Sequence, residues 1–132
     1  MSLPPNRKGT IMPSRAAADA FLAQVLSGAH DQAILDHYTQ DAWMQENQAP
    51  PRQGRDALVA GERKTMGRVK EIRTEILGPA LIDGDVVAIR WRFTFVPHEG
   101  PERSQEEVAW QTWRGDKIAT ETFFYDPAQM AG

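Results

Sequence analysis

The sequence contains no cysteine, so neither a disulfide bond nor a thiolate can contribute to its structure or chemistry. It also lacks the basic excess that is typical of nucleic-acid-binding domains, since 15 Lys and Arg stand against 18 Asp and Glu. No apolar run approaches the length of a membrane span, and the first residues lack the apolar core of a signal peptide. We therefore expect a cytoplasmic protein that binds neither nucleic acid nor membranes.

Sequence patterns for metal, phosphate and covalent chemistry are also missing. The three histidines show no His-x-x-x-His spacing, and no carboxylate cluster has the spacing of metal ligands. There is no glycine-rich phosphate loop, and no serine lies in a nucleophile-elbow context. The charged run from Glu62 to Lys70 is interpreted as a solvated helix face. We expect neither a metal nor a cofactor.

The most informative stretch that is present runs from Asp85 to Val96 and alternates with a period of two. Its large apolar side chains fall on one face, and arginines, alanine and threonine fall on the other. This pattern predicts a long β-strand in a sheet that is covered on one side only. The apolar face consists of Val87, Ile89, Trp91, Phe93 and Phe95.

The periodicities along the chain predict the order helix, helix, strand, helix and then four strands. Helices segregated onto one face of an antiparallel sheet make an α+β domain. At 132 residues we expect one domain over residues 14–128, with a flexible arm over residues 1–13 and a loose tail over residues 129–132. The predicted elements are a helix capped by Ser14, a short helix capped by Asp31, a strand over Asp41–Asn47, a loop over residues 48–54, a helix over Asp56–Val69, a strand over Glu71–Ile82 with a bulge at Gly78-Pro79, and strands over Asp85–Val96, Gln105–Arg114 and Lys117–Tyr125.

Six stretches occur in an order and spacing that carry a family resemblance. They are Ala20–Gly28, Ile34–Glu46, Gln53–Leu58, Gly84–Phe93, and Gly115–Ile118 followed by Phe124–Pro127. Together they resemble the SnoaL-like and ketosteroid-isomerase-like group of the nuclear-transport-factor-2-like superfamily. The resemblance implies a cystatin-like fold, in which three N-terminal helices cover a curved mixed or antiparallel sheet that forms a cone. It also implies a mostly apolar pocket, on a scaffold that is reused for isomerases, cyclases, hydratases, epoxide hydrolases and binding domains.

The resemblance makes Glu46 the first candidate for catalysis. This residue occupies the position of the family's general-base aspartate, and apolar walls around a carboxylate there would suit it to take a proton from a carbon acid. The family's oxyanion donors are absent, because Phe21 replaces a tyrosine and Ala109 lies near the position of a protonated aspartate. Steroid isomerisation by the family's usual route is therefore not expected.

Glu121 and Tyr125 are the candidate partners of Glu46, as acid or orienting donor. The sequence does not decide which side chains of the last strand face the pocket. They are either those that alternate with Glu121 or those that include Thr120 and Thr122. In the first case the two glutamates could form a carboxylate pair that divides the acid and base roles. The predicted ligand-binding residues are Phe21, Tyr38, Met44, Met66, Trp91, Phe93, Gln111, Trp113 and Phe123.

The outer face of the predicted sheet carries Trp43, Arg90, Arg92 and Trp110, which indicate a homodimer interface because aromatic residues and arginine are enriched in such surfaces. Three functional hypotheses remain open. The first is cofactor-free acid–base catalysis of the isomerase, cyclase or hydratase type on a small apolar organic molecule, with Glu46 as base. The second is a non-catalytic domain that binds such a ligand, and the third is a dimerisation domain with a filled cone.

Overall fold

The computed structural model describes residues 12–130, so most of the expected N-terminal arm and the last two residues of the expected tail lie outside the described residues. This part of the chain forms three α-helices: α1 (Arg15–Leu26), α2 (His30–His37) and α3 (Arg55–Gly67). The Ser14 hydroxyl accepts a hydrogen bond from the Ala17 N–H at 3.1 Å and caps α1, as its sequence predicts. None of the described helices is long and apolar enough to cross a membrane.

The strands of the described residues form one mixed sheet. They are β1 (Tyr38–Glu46), β2 (Arg52–Gln53), β3 (Glu71–Ile76), β4 (Leu81–Asp83), β5 (Val86–Val96), β6 (Arg103–Arg114) and β7 (Lys117–Phe124). The order across the sheet is β2-β1-β7-β6-β5-β3, and β4 pairs with β5. Only β1 and β7 run parallel to each other among these pairs. The predicted α+β fold, with three helices and a curved, unclosed sheet, is confirmed.

Strand β5 lies inside the sheet and pairs with β3, β4 and β6, as a long strand with one apolar face should. Val87, Ile89 and Trp91 are each at most 2 % exposed, so this half of the strand forms the centre of the core. The helices supply the opposite side of the core through Phe21 of α1 and Ile34 of α2. Farther along β5, Phe93 and Phe95 are only half-buried, because the helices cover the sheet incompletely there.

A β-bulge in β7 settles which of its side chains face the core. Trp113 pairs with Ile118, but the preceding Thr112 pairs with Thr120, so Ala119 is an extra residue in the ladder. Ile118 and Glu121 are therefore both buried, although their spacing of three would place them on opposite faces of a regular strand. Neither simple alternation predicted for this strand holds along its whole length.

Several element boundaries differ from the sequence prediction. Helix α2 starts at His30 after Ala29 rather than after an Asp31 cap, and β1 starts directly at Tyr38. The predicted loop over residues 48–54 contains the short strand β2, which pairs with the end of β1. The predicted interruption at Gly78-Pro79 divides the strand into β3 and β4, since Gly78 has a positive φ of 109° and Pro79 has no N–H for the ladder.

The C-terminal residues contact the sheet beyond the domain boundary expected at 128. Pro127–Met130 forms a 3₁₀-helix. The Gln129 side chain accepts a hydrogen bond from the Glu106 N–H at 2.8 Å and donates one to the Glu106 carbonyl at 2.9 Å. These two bonds attach residues 127–130, which the sequence places partly in a loose tail, to the middle of β6.

The outer sheet face carries an apolar patch, which consists of Leu81, Val108, Trp110 and Phe124, all exposed. Trp110, which the sequence places at a dimer interface, is 49 % exposed. Arg90 and Arg92 on the same face both form salt bridges with Glu106, at 2.9 and 3.3 Å.

Candidate functional site

A cavity lies between the inner face of the sheet and helices α2 and α3. It has an outer chamber of about 220 Å³ and an inner chamber of about 70 Å³. Phe95, at the half-covered end of β5, lines the outer chamber, whereas Phe21, Val25 and Ala33 of α1 and α2 line the inner one. The residues that line both chambers are His30, Ile34, Met44, Glu62, Phe93 and Phe123.

Glu121 lies at the end of the inner chamber and is 1 % exposed. Its Oε1 accepts a hydrogen bond from the Tyr38 hydroxyl, and its Oε2 accepts one from Gln111 Nε2 at 2.7 Å. Trp113 Nε1 in turn donates to Gln111 Oε1 at 2.9 Å and fixes the orientation of that amide. Burial raises the pKa of the Glu121 carboxyl to about 7, although both hydrogen bonds favour its ionised form and oppose this rise.

Glu107 faces the outer chamber from β6 and is 8 % exposed. Its Oε1 accepts a hydrogen bond from Gln105 Nε2 at 3.0 Å, and its Oε2 has no hydrogen-bond partner among residues 12–130. Burial raises the pKa of this carboxyl to about 8, with a smaller contribution from the negative charges of Glu121 and Glu46. Glu107 is therefore mostly protonated at neutral pH and can donate a proton into the chamber.

Glu46 lies at the rim of the outer chamber, and its side chain is 38 % exposed. Its Oε2 forms a salt bridge with Arg52 at 2.6 Å, and its Oε1 accepts a hydrogen bond from the Tyr125 hydroxyl at 3.2 Å. The sequence prediction that apolar walls surround Glu46 is therefore wrong. Because β2 pairs beside the end of β1, Arg52 is placed next to this carboxylate, and the enclosed carboxyls are those of Glu107 and Glu121 instead.

His30 and Glu62 face each other where the two chambers meet. His30 is buried, its Nε2 lies 2.7 Å from Thr74 Oγ1, and its Nδ1 lies 3.8 Å from Glu62 Oε1. Burial lowers the pKa of His30 and raises the pKa of Glu62, so both side chains are driven toward their neutral forms.

The cavity includes most of the sequence-predicted site residues but not all of them. Glu46, Met44, Phe93 and Phe123 line the outer chamber. Tyr125 reaches the site only through its hydrogen bond to Glu46. The predicted residues that line the inner chamber are Phe21, Tyr38, Met44, Trp91, Phe93, Glu121 and Phe123.

Three predicted ligand contacts lie elsewhere. Gln111 and Trp113 are buried behind Glu121 and contact its carboxylate or each other rather than the cavity, and Met66 on α3 lines neither chamber. The register of β6 explains why Gln111 and Trp113 do not line the cavity, because helices cover the end of the strand that carries them. Gln111 and Trp113 therefore support Glu121 instead of contacting a ligand.

Four ionisable residues of the cavity were not predicted from the sequence: His30, Arg52, Glu62 and Glu107. A signal for Glu107 existed, since the alternation that faces Gln111 inward also faces Glu107 inward, four positions earlier on the same strand. Glu62 lies on the helical stripe of the buried Leu58 and Val59, so its interpretation as part of a solvated face is wrong. The position of Arg52 depends on the unpredicted strand β2.

Within residues 12–130, no group of three or more His, Asp or Glu side chains has a geometry that could hold a metal ion. The carboxyls are distributed around the walls of the cavity instead of converging on one point. This arrangement suits contacts with separate parts of an organic molecule.

The comparison with protein families gives one match. The model of the SnoaL-like domain family matches residues 18–121, from within α1 to within β7, and this range includes every carboxyl that lines the cavity. No curated protein matches the chain.

Solved structures share the fold at low sequence identity. A candidate SnoaL-like polyketide cyclase from Mesorhizobium loti is 24 % identical, with a TM-score of 0.69 over 83 % of this chain and 97 % of that one. A Catenulispora acidiphila protein with a ketosteroid-isomerase-like fold, solved with trimethylamine, is 16 % identical, with a TM-score of 0.73 over 88 % and 89 % of the two chains. An M. tuberculosis epoxide hydrolase is 15 % identical, with a TM-score of 0.71 over 87 % and 84 %.

Proposed function

This chain belongs to the SnoaL-like domain family, and on that premise we propose that it binds a small organic molecule and catalyses a cofactor-free proton transfer or addition of water. The observation that carries the proposal is that two of the three carboxyls lining the outer chamber have different surroundings. Glu107 is mostly neutral at pH 7, and Glu46 forms a salt bridge with Arg52. The neighbouring folds of a candidate polyketide cyclase and an epoxide hydrolase support this class of chemistry, and the trimethylamine complex supports an organic occupant.

In the proposed mechanism Glu46 is the base and Glu107 is the acid. Glu46 takes a proton from a carbon next to a carbonyl group, or from a water molecule that attacks the substrate. Glu107 gives its proton to the oxygen on which negative charge develops. In an isomerisation Glu46 then passes its proton to another carbon of the substrate, and Glu107 regains its proton from the oxygen. In addition of water the proton that Glu46 took moves to Glu107 through solvent, and this transfer restores both groups. Tyr125 orients the base through its hydrogen bond to Glu46 Oε1, while Arg52 holds the other oxygen.

Glu107 compensates for the donors that the ketosteroid-isomerase-like pattern lacks here. Ala109 offers no proton, but Glu107 lies two residues earlier on the same strand, and its neutral carboxyl faces the outer chamber. A protonated carboxyl in an apolar site is an effective donor to a developing oxyanion. The proton donor of this chain therefore occupies a different position on β6 from the donor in the ketosteroid-isomerase-like pattern. This difference supports a substrate that lies closer to the rim than in the steroid isomerases.

The proposal is testable with 5-nitrobenzisoxazole, a carbon acid whose ring opens when a base removes its proton and which releases a coloured phenolate. The outer chamber exceeds the ~150 Å³ that accommodates a benzene ring. Glu46→Gln should lower kcat/KM by about 10²- to 10⁴-fold, since it removes the general base. Glu99→Gln, in an exposed loop, is the matched control and should leave the rate unchanged. An unchanged rate in the Glu46 variant would refute its role as base.

The second proposed property is a homodimer that pairs through the outer sheet face. The apolar patch of Leu81, Val108, Trp110 and Phe124 is exposed in the single chain, and salt-bridged arginines border it. Patches of this composition resemble the core and rim of protein interfaces. A dimer through this face leaves both cavities accessible, because they open on the opposite side of the sheet. Residues 14–128 are the proposed functional unit.

A further inference from the structure

The inner chamber takes no part in the proposed proton transfer, yet its walls have a distinct chemistry. Two carboxyls reach it, Glu62 from α3 and Glu121 from β7, while the other walls are largely aromatic and aliphatic. The aromatic rings that line it belong to Phe21, Tyr38, Trp91, Phe93 and Phe123.

Arg52 acts on a carboxyl of the inner chamber only from outside this chamber, where it lowers the pKa of Glu62 against the effect of burial. No Lys or Arg of the described residues lines the inner chamber. Arg52 lines only the outer chamber and is already paired with Glu46. His30 is the one basic side chain that contacts the inner chamber, and its burial favours the neutral ring. A cationic occupant places a positive charge next to these two carboxyls, between walls that carry no Lys or Arg among the described residues.

We propose that the inner chamber binds the ammonium group of a primary or secondary organic amine, whose remaining atoms extend into the outer chamber. The inference rests on the proposed function, because it assumes that the cavity is a small-molecule site. Each oxygen of the Glu121 carboxylate accepts one hydrogen bond from the protein and retains a second acceptor position for an ammonium N–H. The aromatic faces add cation–π attraction, which is strongest where the cation is shielded from water.

The size of the chamber selects the kind of amine. A cavity of about 70 Å³ is about half of the ~150 Å³ that holds benzene, so it accommodates an ammonium or methylammonium head and no ring. A metal ion is a poor alternative, because no group of side chains within residues 12–130 could hold one.

The test compares three probes of equal length and different charge: hexylammonium, 1-hexanol and hexanoate. NMR titrations of the whole chain at pH 8 measure the dissociation constants, and the indole N–H signals locate the ligand. Trp91 lines the inner chamber, Trp113 contacts the amide that holds Glu121, and Trp110 on the outer face serves as the internal reference. Hexylammonium should bind at least about tenfold more tightly than 1-hexanol, as expected from one charge-assisted contact in a shielded site.

Two variants test the carboxyls separately. Glu62→Gln changes a partly exposed side chain and should fold normally, while Glu121→Gln tests the deeper carboxyl and is interpreted only if its NMR spectrum is that of a folded chain. Each should reduce the preference for hexylammonium over 1-hexanol to less than about threefold, and Glu99→Gln should leave it unchanged.

The outcomes separate this inference from the proposed function. If 1-hexanol or hexanoate binds as tightly as hexylammonium, the ammonium site is refuted while the cavity remains a small-molecule site. If the preference exists but survives in both glutamine variants, the assignment to Glu62 and Glu121 is refuted. If none of the three probes shifts the Trp91 and Trp113 signals, both the inference and the proposed binding function are refuted.

Discussion

Replacing Glu107 with glutamine should stabilise the protein at alkaline pH and have little effect near pH 4. The substitution keeps the shape of the side chain, and the new amide oxygen can still accept the hydrogen bond from Gln105 Nε2. It removes the only ionisation at this position. In the folded chain the carboxyl has a pKa of about 8, because burial disfavours its charged form, whereas its ordinary value is 4.5.

The sign of the effect follows from proton binding. Between pH 4.5 and about pH 8 the folded state holds the Glu107 proton and the unfolded state does not, so the stability of the wild type falls as pH rises through this window. The contribution of Glu107 to stability is complete below pH 4.5 and is lost above about pH 8. At ~1.36 kcal/mol for each pH unit between the two pKa values, the loss is at most about 5 kcal/mol.

Urea unfolding of the wild type and of Glu107→Gln at pH 5 and pH 8.5 measures this difference. The variant should gain about 2 to 4 kcal/mol relative to the wild type between the two pH values, the lower figure allowing for water in the outer chamber. Glu99→Gln in the exposed loop is the control and should follow the wild type at both pH values. If Glu107→Gln gains less than about 0.5 kcal/mol, the carboxyl is not buried as a neutral group and its role as proton donor is refuted.

Three further predictions concern the support of the site, the dimer and the first helix. Trp113→Phe removes the donor to Gln111 Oε1, and the unpaired buried amide should cost about 1 to 3 kcal/mol in urea unfolding; a loss below 0.5 kcal/mol would contradict the hydrogen-bond chain to Glu121. Trp110→Glu should convert the proposed homodimer into a monomer in analytical ultracentrifugation, whereas a variant that remains dimeric would place the interface elsewhere. Ser14→Ala removes the cap of α1 and should lower the free energy of unfolding by about 1 kcal/mol, with no change expected in ligand binding.

The sequence predicts the layer structure of this protein well, because that structure depends on local periodicity. The alternation in β5 identifies one buried face without any tertiary information, and Val87, Ile89 and Trp91 form the core as predicted. Turn chemistry is local as well, so the interruption at Gly78-Pro79 is predicted correctly in position. The predicted starts of α2 and β1 are wrong by a few residues.

The candidate site is predicted less completely, because burial of a carboxyl depends on what packs against it. The sequence identifies Glu46 and Glu121 but cannot show which of them is enclosed. Glu46 is paired with Arg52 because β2 lies beside the end of β1, and a two-residue strand in a Pro-rich loop has no periodicity to recognise. Glu107 is enclosed because α2 and α3 lie across the sheet at its position, although its face could have been inferred from Gln111.

The sequence by itself determined the fold class, the inner face of β5 and the identity of the family, since each of these depends on residue order and spacing along the chain. Only the tertiary structure decided the protonation states in the cavity. The bulge at Ala119 moves Glu121 onto the inner face, and the helices remove water from Glu107. Both effects arise from contacts between residues far apart in sequence. A carboxyl becomes an acid or a base according to the water and charges around it, and those surroundings exist only once the sheet and helices have packed.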